Sequence, residues 1–282
     1  MSNELLARLG MHDYRGKVIL ITGGTRGIGL ATGLAYARLG AHVVLTHKWG
    51  SADEDAINQS FANAGAEPPM IAEADAGSAE DTQSLVETIR EKYGRLDVFI
   101  SNVAFAQIVK EFEEYQKRAL LRSIDYSVWP MVEYTKQIKA TFGSYPRYVI
   151  GLSSIGPDKY TANYDFVAAS KSVMETLCRY LAFRLGPEGV RVNVVRAALV
   201  KTESLNATMG PDCVPFIERF DPSMFVTVEE VANAILALTS GLMDAITGQV
   251  VSVDHGAPFY DNIMRLYGER DKLQIAAKPE GK

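Results

Sequence analysis

The sequence predicts an α/β fold, a single doubly wound domain whose parallel seven-stranded sheet carries helices on both faces. Three observations predict it. Short apolar runs alternate with helical stretches of about a dozen residues, the pattern of parallel strands joined by crossover helices. The first of these runs, Val18–Ile21, leads into a glycine-rich turn, Thr22-Gly23-Gly24-Thr25-Arg26-Gly27-Ile28-Gly29, and then into a small-residue helix from Leu30 to Leu39. A chain of 282 residues with 47% hydrophobic content can bury one sizeable core.

The elements follow in order. Residues 1–14 are an arm before the first strand, and 15–258 form the domain. Leu39-Gly40 stops the first helix, and Ala41–Thr46 is a β-branched second strand. Asp53–Ala64 reads as a helix ended by Pro68-Pro69. A third strand begins at Met70 and ends at Asp75. Leu85, Val86 and Ile89 give 80–93 a helical period that Gly94 stops, and Leu96–Ser101 is the fourth strand. A long helical region at 111–142, interrupted by Pro130, precedes the fifth strand at Arg147–Leu152. Lys171 lies on a helix reaching Leu185, and Val190–Val195 is the sixth strand. The segment 203–227 reads as an irregular substrate loop, since a long loop in a compact domain is more often a lid than filler. Thr227-Val-Glu-Glu230 begins the last main helix as a capping box, Gly248–Val253 is the seventh strand, and 259–282 are a loose tail.

The glycine turn is the first candidate site. A strand, a turn and a helix N-terminus present backbone N–H groups and the positive end of the helix dipole to an anion. Gly23 lets the chain leave the strand sharply, Gly27 lets the backbone approach a pyrophosphate, and Gly29 lets the helix sit close on the sheet. The spacing G-x-x-x-G-x-G also fits a turn that holds no ligand.

Composition excludes several classes. A net charge of −5 opposes nucleic-acid and anionic-membrane partners. Cys178 and Cys213 form no C-x-x-C pair, so a reducing cytosol is expected. His12, His42, His47 and His255 have no metal-ligand spacing, so no metal is expected. The N-terminus lacks a signal-peptide pattern, and no apolar run reaches the ~18 residues of a membrane span. The expected location is cytoplasmic.

Thr46-His47-Lys48-Trp49 ends the second strand, where a dinucleotide's adenosine ribose would lie. A carboxylate here would accept from a ribose 2′-hydroxyl and repel a 2′-phosphate. The stretch has none and offers His47 and Lys48, with Arg26 in the turn, so NADP(H) is the expected cofactor. The bland alternative is a solvated surface.

Taken together, these residues resemble the short-chain dehydrogenase/reductase superfamily over about 15–258, which implies a Rossmann-type fold. Thr22-Gly23-x-x-x-Gly27-x-Gly29 matches its phosphate turn, which makes Thr25, Arg26 and Ile28 within it cofactor-binding candidates with the glycines. By the resemblance, Asp75 holds the adenine amino group, with Ala76 beside it a cofactor-binding candidate, and Asn102 stands where the family has the second Asn of an Asn-Asn-Ala-Gly run. Ser153-Ser154 match the strand-end serines, Arg191-Val-Asn193 the next strand, and Thr202 the threonine at the nicotinamide carboxamide.

One departure bears on function. The usual motif is Tyr-x-x-x-Lys, and four residues before Lys171 stands Val167, which cannot hold a proton. Seven residues before Lys171, rotated about 20° from it and about 10.5 Å along a helix axis, stands Tyr164. This Tyr-x6-Lys arrangement resembles the enoyl-acyl-carrier-protein reductases, and Ser154 fits their NADPH-using branch. That resemblance implies Tyr164 as oxyanion donor and Lys171 as holder of the nicotinamide ribose, its charge favouring tyrosinate. The weaker alternative is that Tyr164 is an aromatic at the helix start that packs on a neighbour. Asp125 falls near the helix asparagine of a proton relay and either carries a proton or caps a turn. Arg196, before Ala197-Ala198, either binds an anionic substrate group or makes the ion pair that is the stronger expectation. Tyr160 is a second donor candidate eleven residues from Lys171.

Three functions are in play. The first is NADPH-dependent reduction of an activated C=C bond, on a small-molecule or acyl-thioester substrate carried by acyl-carrier protein or coenzyme A. The second is carbonyl reduction, and the third a catalytically silent nucleotide-binding relative. The resemblance also implies a homotetramer built on the long helices.

Overall fold

In the computed structural model the described residues are 13–259 and 261–272. The arm lies almost wholly outside them, as do 260 and 273–282 of the tail. Seven parallel strands form the sheet: β1 (Val18–Ile21), β2 (His42–His47), β3 (Met70–Glu73), β4 (Val98–Ser101), β5 (Tyr148–Ser154), β6 (Arg191–Ala197) and β9 (Val250–Val253). Their spatial order is β3-β2-β1-β4-β5-β6-β9. A separate two-stranded pair joins β7 (Leu199–Val200) to β8 (Phe225–Val226).

Strand β1 shows why the sheet is covered on both sides. Ile19 and Ile21 pack with Tyr36 of α1 (Gly27–Ala37), Phe61 of α2 (Glu54–Asn63) and Ile235 of α9 (Val228–Thr239). Val18 and Leu20 alternate to the other face. There they meet Val86 of α3 (Ala79–Tyr93), Tyr134 of α5 (Trp129–Phe142) and Met174 of α6 (Asp165–Leu185).

A polar knot ties α1 to α9. The buried Tyr14 and Tyr36 hydroxyls meet Thr239 Oγ1 at 3.0 and 2.7 Å, and Thr239 Oγ1 donates to Ile235 O at 3.0 Å. Thr239→Val keeps the shape and removes the partner of both phenols. It is expected to destabilise by about 2 kcal/mol or more, read as a lower urea midpoint, since unpartnered buried hydroxyls carry their full desolvation cost.

The structure corrects the sequence reading in three places. The helical region starts at α4 (Lys117–Ser127), and α5 begins anew after Val128, with Pro130 in its first turn. Proline has no N–H to continue the ladder but suits a first turn. The segment 203–227 is largely ordered as α7 (Glu203–Met209), capped by Thr202, and α8 (Cys213–Phe220), followed by β8. Within the tail, α10 (Asn262–Gly268) is capped by Asp261, and Arg265 is bonded to Asp221 at the end of α8.

Candidate active site

The chain order of the strands reverses between β1 and β4, and at their carboxyl ends opens a groove of about 850 Å³. In open parallel sheets such a switch point is where ligands bind. The glycine turn forms one wall. Gly23 and Gly27 adopt φ of +61° and +55°, the left-handed region that favours glycine. A Cβ on Gly29 would lie 2.6 Å from Gly23 O and 2.8 Å from Asn102 Nδ2, so close packing of α1 is what this position requires. Asn102 holds the turn from across the switch point, donating from Nδ2 to Thr22 O at 3.0 Å and Gly23 O at 2.9 Å. The first N–H groups of α1 have no intrahelical acceptor, and Thr25, Arg26, Gly27 and Ile28 line the groove. This cradle fits the diphosphate of a nicotinamide dinucleotide.

At the adenosine end the charges are arranged differently from the sequence expectation. Register pairs His47 of β2 with Glu73 of β3, so Lys48 and Asp75 leave neighbouring strand tips together. The Lys48 ammonium bonds to the Asp75 carboxylate, and at 3.0 Å to the hydroxyl of Tyr126. Burial opposes both charges, but the mutual bonds outweigh it, raising the Lys48 pKa and lowering that of Asp75. Lys48 and Asp75 are therefore already partnered, where the sequence reading gave one to a 2′-phosphate and the other to adenine. His47 lines the groove at 9% exposure, and its Nδ1 has no partner among the described residues. Arg26 Nη1 reaches Glu203 Oε2 of α7 at 3.0 Å, linking the turn to the segment that faces it. Ala76 lines the groove, and Thr202 does so too while capping α7 with its hydroxyl.

At the opposite end, β5 and α6 bring Ser154, Tyr164 and Lys171 to one wall. Tyr164 is the residue just before α6, and Ala168 N donates to its carbonyl at 2.8 Å, so the helical register reaches it. Burial raises the Tyr164 pKa, and the Ser154 hydroxyl offsets part of that rise. This corrects the expected tyrosinate: the phenol is held in its protonated, donating form. Lys171 is 3% exposed, donates to Leu152 O at 2.6 Å, and has its pKa lowered by burial to about 8. Val167 is buried, Tyr160 is 88% exposed, and Asp125 is exposed on α4 outside the groove. The neighbour of Asp125, Tyr126, is the α4 residue that turns inward. A helix rotates its residues by about 100° per position, so a one-residue misplacement selects the wrong face.

Arg196 makes ion pairs with Glu175 and Asp158, as its stronger expectation had it. Sequence reasoning missed Glu175, although an acid four residues after Lys171, within a stretch holding Met174 and Cys178, was a visible signal. It also missed Tyr126 and Glu203. Among the described residues no cluster of three or more His, Cys, Asp or Glu could hold a metal, and no helix is long and apolar enough to cross a membrane.

A doubly wound sheet, a diphosphate cradle at its switch point and a Ser-Tyr-Lys wall define a nicotinamide-nucleotide-dependent oxidoreductase of the short-chain dehydrogenase/reductase type. The chain belongs to the enoyl-(acyl carrier protein) reductase family, whose family model matches residues 23–258. It is 30% identical over 256 residues to an enoyl-[acyl-carrier-protein] reductase [NADH], FabI, of a Nostoc species, covering 87% of this chain and 98% of that one. It is 31% identical over 255 residues to the 1-cyclohexenylcarbonyl-CoA reductase of Streptomyces collinus, covering 86% and 87%. Among solved structures, a mutant short-chain dehydrogenase/reductase of Serratia marcescens superposes with a TM-score of 0.75 at 25% identity, covering 87% of this chain and 99% of that one.

Proposed function

We propose that this protein is an NADPH-dependent reductase of an activated C=C bond, acting on an enoyl thioester of acyl-carrier protein or coenzyme A. The observation that supports it best is that Tyr164 shares the groove wall with Lys171, while the position four before the lysine holds a buried valine.

A dihydronicotinamide bound in the groove supplies a hydride. In carbonyl reduction the hydride goes to the carbon bearing the oxygen, and the acid must stand beside that carbon. In an enoyl thioester it goes to C3, and negative charge develops on the thioester oxygen two carbons away. Tyr164, set back from the ordinary position, is the donor to that oxygen, and burial, by raising its pKa, favours the protonated hydroxyl. Lys171 binds the nicotinamide ribose from the wall, and Ser154 orients the phenol. Ile155, Leu199, Leu205 and Met209 supply an apolar lining suited to an acyl chain.

Preference for NADPH is supported by the lack of a carboxylate at the end of β2 and by His47 and Arg26 lining the groove. Assembly through the long helices is supported by Leu121, Trp129, Val173 and Tyr180, large apolar side chains that α4, α5 and α6 leave exposed.

The test is steady-state turnover of crotonyl-CoA and acetoacetyl-CoA, each with NADPH and with NADH. Crotonyl-CoA is expected to be reduced, with the higher kcat/KM for NADPH. Turnover of acetoacetyl-CoA alone would make the protein a carbonyl reductase. Cofactor binding without turnover of either would make it a silent relative. The Nostoc relative is an NADH enzyme by name, so the cofactor comparison is the sharper half of the experiment.

A further inference from the structure

Next to the Tyr164–Lys171 wall lies a charge network, buried at Glu175 and Arg196 and exposed at Asp158, that the proposed reaction does not use. Glu175 stands one turn beyond Lys171 on α6, 5% exposed. Its carboxylate accepts from Ser153 Oγ at 2.6 Å and from Arg196 in a two-pronged pair, Nε at 3.0 Å and Nη2 at 2.6 Å. The remaining Arg196 nitrogen, Nη1, binds Asp158 on the loop that leads to Tyr164. One guanidinium thereby joins β6, α6 and that loop, and Ser153 adds β5. Burying such a pair is rarely favoured for stability alone, because desolvation offsets the attraction. What it does supply is a strong local field, since screening is weak away from water.

Given the reading above, in which Lys171 works in the groove as a cation, we infer that Glu175 and Arg196 are positioning residues that set the pH at which Lys171 loses its charge. The carboxylate holds the proton on the lysine, and the guanidinium weakens that hold. Among the described residues the charge that acts on Lys171 is Glu175 on its own helix, which also carries the buried thiol of Cys178; Arg196 of β6 bonds to that carboxylate and to Asp158 of the loop before α6, and Tyr164 lines the same groove. Helix α4, packed on α6, exposes Asp125 and stacks Arg122 on the Phe105 ring at 4.7 Å. Burial lowers the Lys171 pKa and the Glu175 charge opposes that fall, in line with this arrangement.

The two partners act with opposite sign, and that separates a field from a scaffold. In Glu175→Gln, Lys171 loses the anion one turn along its helix and gives up its proton at lower pH. In Arg196→Gln, the carboxylate acts on the lysine undiluted, and release moves to higher pH. Each shift is expected to be about one unit, the lower end of what a nearby charge does. The double variant should return toward the parent.

The experiment is a lysine 13Cε NMR titration of the cofactor-free protein, with the Lys171 resonance identified by its loss in Lys171→Met. The alkaline limb of kcat/KM for crotonyl-CoA is followed in the same variants. Opposite shifts support the inference; no shift, or shifts in one direction, overturns it. Should Glu175→Gln fail to fold, an upward shift in Arg196→Gln supports the inference, and an unshifted or downward-shifted Arg196→Gln overturns it. Because the titration needs no substrate, opposite shifts in a protein that turns over neither thioester would remove only the reductase reading. Turnover with unshifted titrations would remove only the charge-setting role.

Discussion

Tyr164→Phe is expected to lower kcat for an enoyl thioester by roughly 10²-fold or more, the usual loss when one oxyanion donor is removed, and to leave NADPH affinity within about twofold. Phenylalanine keeps the ring and its burial and deletes only the hydroxyl. That hydroxyl is held as a donor because burial raises its pKa, with Ser154 compensating only in part. The same physics fixes the pH profile. Tyr164 acts protonated and Lys171 acts charged, so activity falls as pH rises. The group that titrates first is Lys171, whose pKa burial lowers to about 8. Below that value the lysine holds its proton and the site works; above it the cation is lost. A mutant with the parent's rate would show that Tyr164 is a packing aromatic, and the donor would have to be sought elsewhere in the groove.

What the sequence made legible, and what it hid, divides by interaction range. Strand β1, the glycine turn and α1 were readable because their signals are local: an apolar run, glycines at left-handed positions and a helix start. Tyr164 and Lys171 were readable as a pair because helical geometry relates positions seven apart. The Lys48–Asp75–Tyr126 cluster was not. It joins the tips of two strands to a helix, through residues 27 and 78 positions from Lys48 along the chain. Nothing in a local window says that two chemically plausible cofactor ligands will satisfy one another. The 203–227 segment was misread for the opposite reason. Its glycine and prolines are strong local breakers, yet Gly210 and Pro211 fall between two short helices, Pro215 sits in the first turn of α8 where a missing N–H costs no ladder bond, and Pro222 comes after that helix.

Gly29→Ala sets local and tertiary rules directly against each other. Gly29 lies inside α1 with an ordinary helical backbone, so intrinsic propensity alone says that alanine should stabilise by up to about 1 kcal/mol. The tertiary setting says the reverse. The added Cβ would sit 2.6 Å from Gly23 O, 2.8 Å from Asn102 Nδ2 and 2.9 Å from the Gly24 Cα, and two of those atoms are backbone that cannot swing aside. Relief requires α1 to lift from the turn, which also pulls on the bonds from Asn102 to Thr22 O and Gly23 O. The expected result is a loss of about 1–3 kcal/mol, the usual cost of overpacking, seen as a lower urea midpoint, together with at least tenfold weaker NADPH binding by fluorescence titration. Gly65→Ala is the control. Gly65 has φ of +68° with open space where its Cβ would go, so alanine there costs about 1 kcal/mol of backbone strain and leaves cofactor binding intact. If Gly29→Ala instead stabilises the protein and binds NADPH normally, the close approach of helix and turn is not what forms the diphosphate cradle.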